Sequence, residues 1–257
     1  MKKKIIKILK KKNKVKLVCL TAYSKSVAKL LDNYCDIILV GDSLATALYG
    51  MKTTHQITTT TMINHARSVK SAVNKSLCVV DMPINSYKSI RKAKINAKKI
   101  IKETKCEAVK IENNGKNFKI IKELVKSSIP VMGHIGFTPQ YFKKFKLQGI
   151  KKRDQLKLIK DAKKIEEAGA FSIVLECIAE NTARKITNNL KIPTIGIGAS
   201  ANCDGQILVT DDMLGLSGFY PKFVKKYQKL DKIIVNSVKK YRKEVISRKF
   251  PTKKNTY

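Results

Sequence analysis

Short apolar runs rich in Val, Ile and Leu recur along the chain, and each is followed by a polar stretch with apolar residues at helical spacing. KLVCLTAY predicts a first strand, followed by a helix over about 24–33. DIILVGDS predicts a second strand, followed by a polar loop at 50–59 and a helix in TTMINHARSVKSAV. LCVVDMP and a lysine-rich helix over about 89–105 come next, then AVKIE with NFKIIKELVKSS. IPVMGHIG precedes a helix, DQLKLIKDAKKIEEAG, that stops at Gly169. FSIVLEC with AENTARKITNNL, then IPTIGIGAS and GQILVT, complete eight strand-like runs. Strands alternating with helices predict a parallel sheet, and eight of them predict an α/β fold, a single (β/α)8 TIM barrel. No Pro/Gly/Ser-rich linker interrupts the pattern, so residues 1–257 are expected to form one domain. Residues 1–14 form a basic lead-in and 221–257 a basic, helix-like tail. The lead-in sets Ile5, Ile6, Ile8 and Leu9 among lysines, as expected of an amphipathic helix on the barrel floor or at a membrane surface.

The length of 257 residues suits one such barrel. No apolar stretch is long enough to span a bilayer, and the basic N-terminus lacks the apolar core of a secretory signal. Six cysteines are dispersed without a CxxC pair, several inside strand-like runs. A disulfide framework or a zinc site is therefore a poor reading, and a reducing cytoplasm fits better. The formal charge of +35 raises the question of nucleic acid, but only six of the 54 basic residues are arginine. Arginine clamps phosphate and reads guanine edges; lysines scattered over every helical segment form a diffuse cloud instead. No specific nucleic-acid partner and no membrane partner are expected, only weak polyanion binding at low salt.

Acids are scarce, at 19 Asp+Glu, so their placement is informative. Four strand-like runs end in one: Asp42, Asp81, Glu112 and Glu176, separated by 39, 31 and 64 residues. A strand–helix unit takes roughly 30 residues or more, so these acids recur about once per unit or once per two. They converge on the rim where barrel enzymes keep their chemistry. A single strand-end Asp often caps the next helix, but Glu112 and Glu176 are poor capping types. Lys110, two residues before Glu112, shares its face of the strand. That pair is either a buried ion pair or a substrate-anion contact beside a metal ligand. His134, near the end of the fifth strand, is either a hydrogen-bonded structural residue or a member of the site. Asp, Asp and Glu without Cys are hard oxygen donors suited to Mg2+ or Mn2+. Such an ion, chelated by a 2-oxo acid, would polarise its carbonyl. Glu176, the most apolar-flanked of the acids, is the candidate base.

The segments TAY (21–23), LVGDSLATALYG (39–50), DMPINSY (81–87), AVKIE (108–112), PVMGHIGFTPQ (130–140), EEAGAFSIVLEC (166–177), IPTIGIGA (192–199) and CDGQILVTDDMLGL (203–216) extend the picture. Together they resemble the 3-methyl-2-oxobutanoate hydroxymethyltransferase family, collinearly from about residue 15 to about residue 227. The resemblance implies a Mg2+-dependent enzyme, with one ion per subunit, that moves a one-carbon unit from 5,10-methylenetetrahydrofolate to 2-oxoisovalerate. It implies Asp42, Asp81 and Glu112 as metal ligands, Asp42, Ser43, Asp81 and Lys110 as substrate contacts, and Glu176 as the base. It further implies a cytoplasmic homodecamer of two pentameric rings. The chain departs from the family pattern at Ser24, across 51–56, at Asn113-Asn114, at Ile150 and at Ser200, all outside the implied metal and base set. A Mg2+-dependent C–C lyase or phosphoenolpyruvate mutase-like barrel is the alternative enzyme, but the cysteine-bearing loop it would need is missing. A polyanion-binding barrel without catalysis would have lost these acids.

Overall fold

The computed structural model describes residues 3–142, 145–218 and 220–257, so the first two residues of the lead-in lie outside it. The chain divides into two compact units, Met1–Val209 and Thr210–Tyr257. In the first, eight parallel strands close into a barrel in sequence order. They are β1 (Leu17–Thr21), β2 (Ile37–Val40), β3 (Leu77–Asp81), β4 (Ala108–Glu112), β5 (Val131–Gly136), β6 (Ser172–Glu176), β7 (Thr194–Ile197) and β8 (Gly205–Leu208). Around them run α1 (Lys3–Lys10), α2 (Lys25–Leu31), the short α3 (Leu44–Ala47), α4 (Thr59–Lys70), α5 (Ile90–Thr104), α6 (Phe118–Lys126), α7 (Lys152–Glu167) and α8 (Glu180–Asn189). The second unit contains α9 (Thr210–Leu214) and α10 (Leu230–Ile246).

Three of the helices start on a side-chain cap. Ser24, Thr58 and Ser89 accept hydrogen bonds from the backbone N–H of Val27, Thr61 and Lys92, which starts α2, α4 and α5. Ser24, one of the departures from the family pattern, is thus a cap. The polar loop at 50–59 contains one turn of 3-10 helix, Thr54–Gln56.

Strand alternation divides the apolar residues into two layers. Outward residues such as Ile38, Val80, Val109 and Ile173 pack under the helices. Inward residues such as Ile37, Val79, Ala108, Met132, Val174 and Ile195 fill the barrel, and Ile5 and Ile8 of α1 join this inner cluster. The lead-in helix therefore belongs to the barrel core, as the floor reading expected. Lys12 holds it there: its Nζ donates to Asp204 Oδ2 at 2.7 Å and to Thr187 O at 2.7 Å. Asp204 also accepts from Asn13 N, Thr194 N and Thr194 Oγ1. With its floor closed and its lower layers apolar, the barrel has only its upper rim left for polar chemistry.

Candidate active site

Following the inward positions upward leads to the rim. In β4, Ala108 is an inner-core residue, so Lys110 and Glu112 stand above it on the same face. Likewise Val79 leads to Asp81, Met132 to His134, and Val174 to Glu176. Register then sets the neighbours: Asp81 lies opposite Lys110, Glu112 opposite His134, and Gly136 opposite Glu176. Asp42 lies two residues beyond the end of β2, and its backbone N–H donates to Asp81 Oδ2 at 3.1 Å. All six of these polar side chains are buried.

Two glycines lie at close approaches on the rim. A Cβ on Gly41 would lie 2.8 Å from Ser43 Oγ, so a side chain there would require that hydroxyl to move, and 3.5 Å, an ordinary contact, from Asp81 Oδ2. Gly136 has φ +96°, and a Cβ there would meet Glu176 O at 2.1 Å. That close approach lets Phe137 N donate to Glu176 O at 2.8 Å, tying β5 to β6 at Glu176. Immediately after Glu176, Cys177 is left-handed at φ +50°, a strained conformation for a residue with a side chain. Its N–H to Ile197 O (2.9 Å) and its carbonyl to Gln148 N (2.7 Å) hold it there.

Lys110 Nζ donates to Asp81 Oδ1 at 2.6 Å, so the lysine pairs across the strands and not with Glu112 in its own. Burial works against the Lys110 charge, but Asp81, Glu112 and Asp42 outweigh it and raise its pKa. The carboxyls show the reverse effect. Burial, then the Asp81 charge, pushes Asp42 up to about 7 against the pull of Lys110. Burial raises Glu112 well above the carboxylate range, with Asp42 adding to it. Burial brings Glu176 up to about 8, again with Lys110 opposing. At neutral pH, ionising Glu176 costs about 1 kcal/mol, little enough for one nearby positive charge to offset. His134 lies between two acids, Nδ1 3.6 Å from Glu112 Oε1 and Nε2 3.2 Å from Glu176 Oε2, without hydrogen-bond alignment to either. Burial and the nearby Lys110 hold its pKa well below the usual value, so the ring is neutral. Ser43 Oγ is 2.8 Å from the hydroxyl of buried Tyr23.

Among the described residues four buried carboxyls surround one lysine, and three of them are held toward the neutral form by burial; a hard cation would favour their ionised form, and oxygen donors suit it. Among the described residues, no group of three or more His, Cys, Asp or Glu side chains is arranged to hold a metal ion. Asp81 is engaged by Lys110, and Asp42 and Glu112 meet through Gln140. The set therefore suits an ion that takes one or two carboxylates and completes its shell with water and substrate oxygens, which is the preference of Mg2+.

Sequence reasoning did not single out Gln140. Its side chain donates to Asp42 Oδ2 at 2.8 Å and its backbone N–H to Glu112 Oε2 at 3.0 Å. The available signal was Phe137-Thr138-Pro139-Gln140 directly after a strand, a turn signature that folds the chain back over the rim. Tyr141 N indeed donates to Thr138 O at 2.9 Å.

The comparisons with known proteins narrow the reading of this rim. Residues 2–253 match the family described as Ketopantoate hydroxymethyltransferase. The chain belongs to the ketopantoate hydroxymethyltransferase family. A 3-methyl-2-oxobutanoate hydroxymethyltransferase of Pelagibacter ubique is 50% identical over the whole of both chains. One of Clostridioides difficile is 48% identical over 94% of this chain and 90% of the relative. One of Anaplasma marginale is 46% identical over 98% and 92%. As a family member the chain is an enzyme, a one-carbon transferase. Among solved structures, a phosphonopyruvate hydrolase complexed with oxalate and Mg++ superposes with a TM-score of 0.64 at 12% identity, over 98% of this chain and 93% of the other. A 2,3-dimethylmalate lyase of the PEP mutase/isocitrate lyase superfamily gives 0.64 at 12% identity, over 98% and 92%. At such identity these likenesses concern the barrel fold alone.

The departures from the family pattern have local roles. Asn113 Oδ1 accepts from Asn117 N at 3.0 Å at the start of α6, and Ser200 Oγ accepts from Asn202 N at 3.1 Å. His55 Nε2 lies 3.0 Å from Gln140 O.

Proposed function

We propose that the chain transfers a hydroxymethyl group from 5,10-methylenetetrahydrofolate to 3-methyl-2-oxobutanoate, forming 2-dehydropantoate for pantothenate and coenzyme A synthesis. The observation that carries this reading is the gathering of Asp42, Asp81, Lys110, Glu112, His134 and Glu176 on one rim in a chain of this family. Asp42, Asp81 and Glu112 form the carboxylate set that would hold a Mg2+ ion, one per subunit, with one or two of them bound to it directly and Asp81 shared with Lys110; the ion would supply Lewis-acid polarisation of the substrate's oxo group. Lys110 and Ser43 hold the oxo-acid, Lys110 by its charge and Ser43 by the hydroxyl that Tyr23 orients. Asp42 and Asp81 border the same position.

Glu176 takes the proton from C3 of the bound oxo-acid. Its burial keeps its basicity high, so its carboxylate is a stronger base than an exposed glutamate. Neutral His134 packs beside Glu176 Oε2 and adds no positive charge there that would lower the basicity of the carboxylate. One water hydrolyses the folate-borne methylene, breaking both of its C–N bonds to give tetrahydrofolate and formaldehyde; the enolate carbon adds to the formaldehyde carbon, and the resulting alkoxide takes up the proton removed from C3 to give 2-dehydropantoate.

The exposed apolar side chains of α10, including Ile233, Val235, Val238 and Tyr241, support self-association, in keeping with a homodecamer. No described helix is long and apolar enough to cross a membrane, and six free, buried cysteines suit a reducing cytoplasm. A coupled assay with 3-methyl-2-oxobutanoate and methylenetetrahydrofolate, run with and without a chelator, tests the proposal. Product that depends on both substrates and disappears with chelator is expected. Undiminished product in excess chelator would remove the cation from the account.

A further inference from the structure

We infer that Gln140 is a positioning residue: from one turn it fixes the orientation of both Asp42 and Glu112, and Tyr87 fixes the orientation of Gln140. This rests on the reading of those carboxylates as cation donors. Every polar group of the residue is used. The amide nitrogen has two hydrogens; one goes to Asp42 Oδ2 at 2.8 Å and the other to Met82 O at 3.0 Å. The backbone N–H goes to Glu112 Oε2 at 3.0 Å. The amide oxygen accepts from the Tyr87 hydroxyl, and the backbone carbonyl faces His55 Nε2 at 3.0 Å.

The orientation of the amide follows from this pattern. Met82 O can only accept, so the atom facing it must be the NH2, and the Tyr87 hydroxyl then finds the oxygen. Tyr87 is buried with its ring in the core, and a buried tyrosine hydroxyl needs a partner. Its own oxygen receives a long contact of 3.4 Å from Tyr141 OH. Tyr141 OH accepts from Asn117 Nδ2 at 2.9 Å, and the same amide donates to Glu112 O at 2.8 Å. The chain of bonds thus leaves the Glu112 side chain and returns to the Glu112 backbone. These bonds restrain both carboxylates before any ion arrives.

Gln140→Met tests the inference, because methionine keeps the length and volume while removing the amide; the backbone bond to Glu112 remains. The probe is Mg2+ alone, titrated calorimetrically into the full chain without substrate. With an unchanged circular dichroism spectrum and melting temperature, Mg2+ affinity is expected to fall about tenfold to a hundredfold. In C3 proton exchange, the half-saturating Mg2+ concentration should rise by the same factor, and the maximal rate should change less. Tyr87→Phe, which removes the bond to the amide oxygen without touching either carboxylate, should weaken Mg2+ by about threefold to tenfold. A folded Gln140→Met that binds Mg2+ as tightly as the wild type overturns the inference alone. Should that variant not fold, Tyr87→Phe decides it by the same criterion. A wild-type chain that binds no Mg2+ overturns the cation reading and this inference with it.

Discussion

At the scale of the residue, the rim works through contrast between neighbours in similar surroundings. Lys110 and Glu176 are both buried, yet the lysine keeps its charge because Asp81 lies 2.6 Å away, whereas burial outweighs the pull of Lys110 on the glutamate, which has no ion-pair hydrogen bond among the described residues. Glu176 therefore holds its proton up to about pH 8 and acts as a base only as it ionises. C3 proton exchange should rise with pH along that titration. Added Mg2+ should move the apparent pKa downward, because a cation favours the charged form. An exchange rate that is flat between about pH 5 and about pH 9, or an apparent pKa that climbs on adding Mg2+, would contradict this role. The stability consequence has the opposite sign from a salt-bridged acid. Between the ordinary glutamate value and about 8 the folded chain binds the proton that the unfolded chain has lost, so this residue's contribution falls as pH rises. The acids were legible in the sequence because lysine dominates everywhere else. The partner of Lys110 was not: alternation shows which face a side chain takes, while the neighbour depends on the β3–β4 register.

At the scale of the element, the strands and most helices were legible because period and punctuation agree. The apolar runs stop at acids, and Ser24, Thr58 and Ser89 start helices where the apolar spacing changes. The turn after β5 was not legible as a functional element, since what Gln140 reaches depends on residues 98 and 28 positions earlier, Asp42 and Glu112. The lead-in helix was legible as amphipathic, but its two possible surfaces were separated only by Ile5 and Ile8 entering the barrel's inner cluster. Its anchor is specific. Asp204 is buried and accepts from Lys12, Asn13, and Thr194 twice. Asp204→Ala would leave the largely buried Lys12 ammonium unpaired, a loss of about 3–5 kcal/mol. Urea denaturation should show that loss as a lower midpoint, with Mg2+ affinity retained because the anchor lies at the start of β8, away from the rim. A midpoint unchanged within error would show that the floor is held by apolar packing alone.

At the scale of the whole molecule, the net charge of +35 and the chemistry occupy different places. Positive charge is spread over the helical exterior, where lysine is soluble and tolerated, and it is screened over about 8 Å at physiological salt. The acids gathered on the rim are buried at one end of a closed barrel, with Lys110 as the lysine in contact with them among the described residues. Eight alternating units made the barrel legible from length and pattern together, and the family match spans nearly all of it. The assembly of Asp42, Asp81, Lys110, Glu112, His134 and Glu176 into one proton-abstracting site is the central claim. Its most direct measurement follows the C3 hydrogen of 3-methyl-2-oxobutanoate by NMR in D2O with Mg2+, for the wild type and for Glu176→Gln. The wild type should exchange that hydrogen without folate, and Glu176→Gln should still bind Mg2+ and the oxo-acid but lose exchange by at least about a hundredfold. Exchange by Glu176→Gln at the wild-type rate would place the base elsewhere and contradict the account.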